Sequence, residues 1–162
     1  MSSSGDLDTK ANLRSDSFSS FIYFVNFILR NVIVTRSVGH IHDGRSLNFW
    51  LDQNGFRTIF EFSSKQLRKL EIPFLSKVPC EAIVAYNPFD DMDLAEIEKT
   101  LTILEQFDSA LIIAVYTALN CENSPKVPYS TYQWTQILAQ LGNVVKIHTH
   151  STYQLFMVTK NV

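Results

Sequence analysis

Residues 111–116 read Leu-Ile-Ile-Ala-Val-Tyr and residues 82–86 read Ala-Ile-Val-Ala-Tyr. Neither run alternates between apolar and polar residues, so neither suits a strand with one wet face. Short unbroken apolar runs are what a parallel sheet covered by helices on both faces requires. Asn87-Pro88 stops the second run. Upstream, Val32-Ile33-Val34 leading into Ser37-Val38-Gly39 predicts a first strand that ends in a turn, and Thr58–Phe62 predicts a second. Downstream, Val144–Thr149 and Tyr153–Thr159 are joined by Ser151-Thr152, a link short enough for an antiparallel hairpin.

Helical spacing fills the intervals. Phe18, Phe21, Ile22, Val25, Ile28 and Leu29 recur every three or four residues, and Leu47, Phe49, Trp50 and Leu51 precede the strong stop Asn54-Gly55. Gln66–Leu70 reads as a short helix with basic residues. Asp90 or Asp91 can cap a helix using Leu94, Ile97, Leu101 and Leu104, with Asp93-x-x-Glu96 satisfying its early amides. Ser130-x-x-Gln133 opens another through Trp134, Ile137, Leu138 and Leu141, ended by Gly142. Strands alternating with helices, then a terminal hairpin, predict a doubly wound α/β fold. Its sheet is mostly parallel, with helices on both faces and an antiparallel C-terminal hairpin.

The chain has 162 residues, 46% hydrophobic and 19% charged, with 12 Phe and 5 Gly. That suits a single domain, expected over residues 18–162 behind a polar, disordered tail at 1–17. A net charge of −2 makes nucleic acid an unfavoured partner. Segment 57–77 carries a net +3 and segment 90–108 a net −6, surfaces that a protein partner can use. Cys80 and Cys121 lie in unlike contexts, which points to a reducing, cytoplasmic setting and structural cysteines. The apolar stretch Phe18–Val34 is interrupted by Asn26, Arg30 and Asn31, so no membrane span is expected.

In a doubly wound sheet ligands bind beyond the carboxyl ends of the strands, where the strand order reverses. Three segments occupy such ends: Ser37–Ser46, Glu61, and Tyr86-Asn87-Pro88-Phe89-Asp90-Asp91. In their order they resemble the class I S-adenosylmethionine-dependent methyltransferases, especially bacterial-type members with Asp-Gly-Arg after the first strand and Tyr-Asn-Pro-Phe after the fourth. The residues that carry the resemblance are Asp43-Gly44-Arg45-Ser46, Gly55-Phe56, Glu61 and Asn87-Pro88-Phe89, and it spans about Val32 to Lys160. It implies a Rossmann-like fold and S-adenosylmethionine as cofactor. Gly39, Asp43, Gly44 and Glu61 would then form the cofactor site, with Glu61 binding the ribose hydroxyls. Asn87 and Phe89 would face the methyl group. Asn87 would orient a nucleophile on a small-molecule or protein substrate, and Asp90 or Asp91 would accept its proton.

Departures from the family pattern define the alternatives. Where the family has an acidic residue and G-x-G, this chain has Val38-Gly39-His40-Ile41-His42, which leaves room for a degenerate, non-catalytic version or a binding and scaffolding module. The short interval between the second strand and Ala82 implies that the family's third strand is shortened or absent. Gly39-x-x-x-x-Gly44-Arg45-Ser46 also approaches a phosphate-binding loop, with Arg in place of the usual Lys. All four histidines fall in two His-x-His pairs, His40/His42 and His148/His150. A solvated loop and an edge strand account for them, and no metal site is expected. Tyr129, Tyr132 and Trp134 can close over a substrate, but core or helix-start packing is the expectation.

Overall fold

Six strands form one sheet in a computed structural model of the chain, which describes residues 19–31, 35–67, 80–89, 92–116, 130–150 and 153–160. The strands are β1 (Ser37–His42), β2 (Arg57–Ser63), β3 (Ala82–Tyr86), β4 (Ala110–Tyr116), β5 (Asn143–Thr149) and β6 (Tyr153–Thr159). Their spatial order is β2-β1-β3-β4-β6-β5. β1 runs parallel to both β2 and β3, and β3 parallel to β4. β6 inserts antiparallel between β4 and β5, as the hairpin reading requires. After β1 the chain goes outward to β2 and then returns to β3 on the other side. The crevice between the carboxyl ends of β1 and β3 is therefore the topological switch point.

The apolar runs have the predicted cause. Every residue of β3 is buried, because helices cover both faces of the sheet. On one face, α1 (residues 19–31) and α2 (Asn48–Gln53) set Phe21, Val25, Ile28, Leu29 and Leu51 against Val38, Val84, Ile112 and Leu155. On the other, α4 (Leu94–Leu104) and α5 (Thr131–Leu138) set Ile97, Leu101, Trp134 and Leu138 against Ile41, Ile83, Ile113 and Phe156. α3 (Ser64–Leu67) follows β2 directly. Both capping boxes form, but Asp93, not Asp90 or Asp91, is the cap of α4, because its side chain accepts from the Glu96 amide. Residues 90 and 91 lie outside the described residues, as do Val32–Val34, residues 68–79, Cys121 and Tyr129. Phe49, expected on the apolar side of α2, is exposed, and so is Tyr132.

The first strand lies further along the chain than expected. It occupies Ser37–His42, so Gly39, His40 and His42 are strand residues rather than loop residues. A polar ring fits there because His40 satisfies both of its nitrogens while fully buried. Its Nε2 accepts from the Leu47 N–H at 2.8 Å, which leaves the proton on Nδ1 to be donated to the Val84 carbonyl at 3.0 Å. Burial is the main reason the ring resists charging, with its pKa lowered from 6.5 to about 4. Gly39 has a packing reason to lack a side chain: a Cβ there would lie 2.2 Å from the Phe60 ring on β2. With Gly39 inside the strand, Gly39–Ser46 is not one continuous phosphate-binding loop, which removes that reading.

Two consequences are measurable. Gly39→Ala should lower stability by about 1–3 kcal/mol, read from the urea unfolding midpoint, because the Phe60 ring has to give way. His40 takes up a proton in the unfolded chain below 6.5 but in the folded chain only near 4. The contribution of neutral His40 is therefore complete above pH 6.5 and is lost as pH falls towards 4, on the order of 3 kcal/mol in all. Urea titrations at pH 7 and pH 4.5 should show this loss, and a folded His40→Gln variant should show less of it.

Candidate functional site

Beyond His42 the chain turns through Asp43–Leu47 before α2 begins, and this turn is held by side chains from three strands. The Asp43 carboxylate is almost wholly buried. Its Oδ1 accepts from the Arg45 amide at 3.2 Å, and its Oδ2 accepts from Arg45 Nη2 at 3.0 Å and from Asn87 Nδ2 at 3.3 Å. Asp43 thus ties the turn after β1 to the residue just after β3. The Arg45 guanidinium lies over the Tyr86 ring, 4.8 Å from its centroid, in cation–π geometry. Gly44 has φ +118°, and a Cβ added there would meet nothing within 4 Å. Glycine is needed at this point for its backbone conformation, and its outer side faces open space.

Glu61 reaches the same crevice from β2. Its Oε1 accepts from the Ser46 hydroxyl and lies 3.1 Å from His42 Nε2. The second ring nitrogen, Nδ1 of His42, accepts from the Gly44 amide at 3.0 Å. Asn87 adopts φ +48° with its backbone amide on the Ala114 carbonyl at 2.9 Å, so the chain leaves β3 in a sharp, defined turn. The Asn87 side-chain oxygen is buried and has no hydrogen-bond partner among the described residues. Such an acceptor is costly to leave unmet, and it fits a ligand or substrate group that donates a proton.

Of the residues singled out from sequence, Asp43, Gly44, Glu61 and Asn87 therefore meet at one crevice. Gly39 lies inside β1, covered by Phe60, and Asp90 lies outside the described residues. Phe89 does not face the crevice. It is buried on the opposite side, its ring stacked 5.5 Å from Trp134. His42, Arg45, Ser46 and Tyr86 join the site without having been assigned a role in it. The one available signal for His42 was its alternation with His40, which puts both on one face of the strand. Their ring centroids are 5.3 Å apart, yet their nitrogens are used on loop amides, Val84 and Glu61. Among the described residues no cluster of three metal-ligating side chains occurs. His148 and His150 lie at the far end of the sheet, stacked on Phe24 and Tyr153.

Cys80 is half-buried, its Sγ 3.2 Å from the Ser109 hydroxyl, and burial raises its pKa, as befits an unreactive thiol. Asp43→Ala would leave Asn87 Nδ2 and the Arg45 amide without their acceptor. A loss of about 1–3 kcal/mol in urea unfolding is expected, together with weaker protection of the Arg45 amide in hydrogen exchange.

No protein-family model matches the sequence, and no curated protein is significantly similar to it. Solved structures are similar in fold. Magnesium protoporphyrin IX methyltransferase (ChlM) from Synechocystis PCC 6803, crystallised with SAM, aligns with a TM-score of 0.58 over 97% of this chain and 83% of its own, at 11% identity. The CMeT domain of the citrinin polyketide synthase aligns at 0.55 over 87% of this chain and 52% of its own, also at 11% identity. DhpI in complex with SAH aligns at 0.51 over 94% and 95%, again at 11% identity. Together with the strand order and the antiparallel β6, these likenesses establish that the chain has the Rossmann-like fold of the class I methyltransferases.

Proposed function

We propose that the crevice between β1 and β3 binds S-adenosylmethionine and that the chain is a methyltransferase acting on an oxygen or nitrogen nucleophile. The observation that carries this reading is the convergence at the switch point of Gly44, Glu61 and the Asn87 oxygen, which has no partner among the described residues. These residues fit the cofactor chemically. Gly44 lets a ligand approach the backbone, Glu61 offers a carboxylate to a ribose hydroxyl, and Asn87 offers a buried acceptor. When bound, S-adenosylmethionine supplies an electrophilic methyl group on a sulfonium. The protein's part is to hold a nucleophile in line with it, for which Asn87 is the orienting residue. Asp90 is the sequence-based choice for the proton acceptor.

A small molecule or a protein is the substrate class that the net charge of −2 supports over nucleic acid. No described helix is long and apolar enough to cross a membrane. The cysteine usage supports a cytoplasmic setting, and the net −6 of segment 90–108 supports a protein partner. A non-catalytic binding module is the second reading, favoured by Phe89, which packs on Trp134 instead of lining the crevice.

Calorimetry with S-adenosylmethionine and S-adenosylhomocysteine should give a Kd of about 1 mM or tighter, at least ~4 kcal/mol of binding. Glu61→Ala should weaken it about tenfold. No heat and no thermal shift with either compound would sink the proposal. Binding without transfer of labelled methyl into a cell extract would favour the second reading.

A further inference from the structure

We propose that the cleft between α2 and β2 is a second ligand site, separate from the crevice, that takes a mononucleotide. The cleft offers about 560 Å³ and is lined by Asn48, Phe49 and Asp52 of α2 and by Gly55, Arg57 and Thr58. That volume is within the range of ordinary small-molecule pockets. None of Asp43, Gly44, Glu61 and Asn87 lines it. The site therefore does not depend on S-adenosylmethionine binding in the crevice.

Positive charge is held at the Gly55 end. Arg36 adopts the left-handed conformation, φ +61°, and its carbonyl accepts from the Arg57 amide at 2.8 Å. The backbone thus keeps two arginines adjacent. The Arg36 guanidinium lies against Gly55, where a Cβ would stand 2.7 Å from Nη1. Both arginines are exposed, and neither guanidinium has an ion-pair or hydrogen-bond partner among the described residues. Glu81 accepts from the Thr35 amide at 2.9 Å and pairs with neither arginine. Like charges held together repel, and a phosphate that accepts from both guanidiniums relieves that repulsion. The other lining groups narrow the ligand. Phe49 is 78% exposed and offers an aromatic ring on which a base can stack. Asp52 shares the cleft with Arg57 without pairing to it. A ligand that is anionic throughout would be repelled there, whereas a sugar supplies hydroxyls for the carboxylate to accept from. The Thr58 hydroxyl is buried with no partner among the described residues, an unmet group that a ligand or a water can satisfy. Planar ring, hydroxyls and phosphate in one molecule describe a mononucleotide.

Calorimetry of the full chain with AMP, GMP, CMP and UMP should give a Kd of about 1 mM or tighter for at least one of them. The matching nucleoside and inorganic phosphate should each bind at least about tenfold more weakly. Arg57→Ala and Arg36→Asn should each weaken nucleotide binding about tenfold, asparagine being chosen because it tolerates the left-handed backbone. Phe49→Ala should weaken it about fivefold or more. Arg57 and Phe49 are exposed, so both variants should keep the melting temperature of the parent. Glu61→Ala should leave nucleotide binding within about twofold, because Glu61 belongs to the crevice. No binding of any of the four at about 10 mM would overturn the proposal, and so would inorganic phosphate binding as tightly as the nucleotide. Nucleotide binding lost in Glu61→Ala but kept in Arg57→Ala would also overturn it, by placing the nucleotide in the crevice.

Discussion

Placing β1 in the interior of the sheet creates the constraint on which the site depends. Once β1 is paired on both edges and covered on both faces, the buried Leu47 amide at the end of the turn that leaves it must be satisfied without help from water. His40 meets that demand from within the strand, and His42 accepts from the exposed Gly44 amide at the start of the turn. The path of the turn follows from these two bonds. It places Asp43 against Asn87 and Ser46 against Glu61, which joins the ends of β1, β2 and β3 into one crevice. Changing either imidazole to a group that cannot accept a hydrogen bond therefore affects more than the residue replaced.

The same constraint accounts for the way charge is arranged. Asp43 is buried, but its oxygens meet an amide, a guanidinium and a carboxamide, so its ionised form is compensated locally. Arg45 in turn lies on the Tyr86 ring, which packs against Phe21 of α1 with centroids 4.7 Å apart. The crevice is thereby connected to the core on the α1 face. On the opposite face, Phe89 and Trp134 form the corresponding anchor, so the segment after β3 is held from both sides with Asn87 at the bend.

Much of the fold was legible in the sequence because apolar runs and capping residues act locally. The run Ala82–Tyr86 and both capping boxes express burial and end-satisfaction within a few residues of chain. The hairpin was legible for the same reason. β1 was misplaced because its signature is not local. Its two histidines read as loop residues, and their polarity is reconciled with burial only by Val84, Leu47 and Glu61, which come from other parts of the chain. Likewise, Gly39 resembles a cofactor-loop glycine until Phe60 is seen against it.

The sequence by itself determined a doubly wound sheet with an antiparallel end, since the periodicity of apolar residues dictates which faces are buried. It also marked Asp43, Gly44, Glu61 and Asn87, because residue type and position after a strand are both read along the chain. Only the tertiary structure decided which hydrogen-bonding groups face one another. It showed that Gly39 serves packing, that Phe89 belongs to the core, and that His42 bridges a loop amide and a carboxylate. The physical reason is that hydrogen bonds are directional and join residues distant in sequence, whereas burial leaves its imprint on neighbouring residues of the same strand or helix.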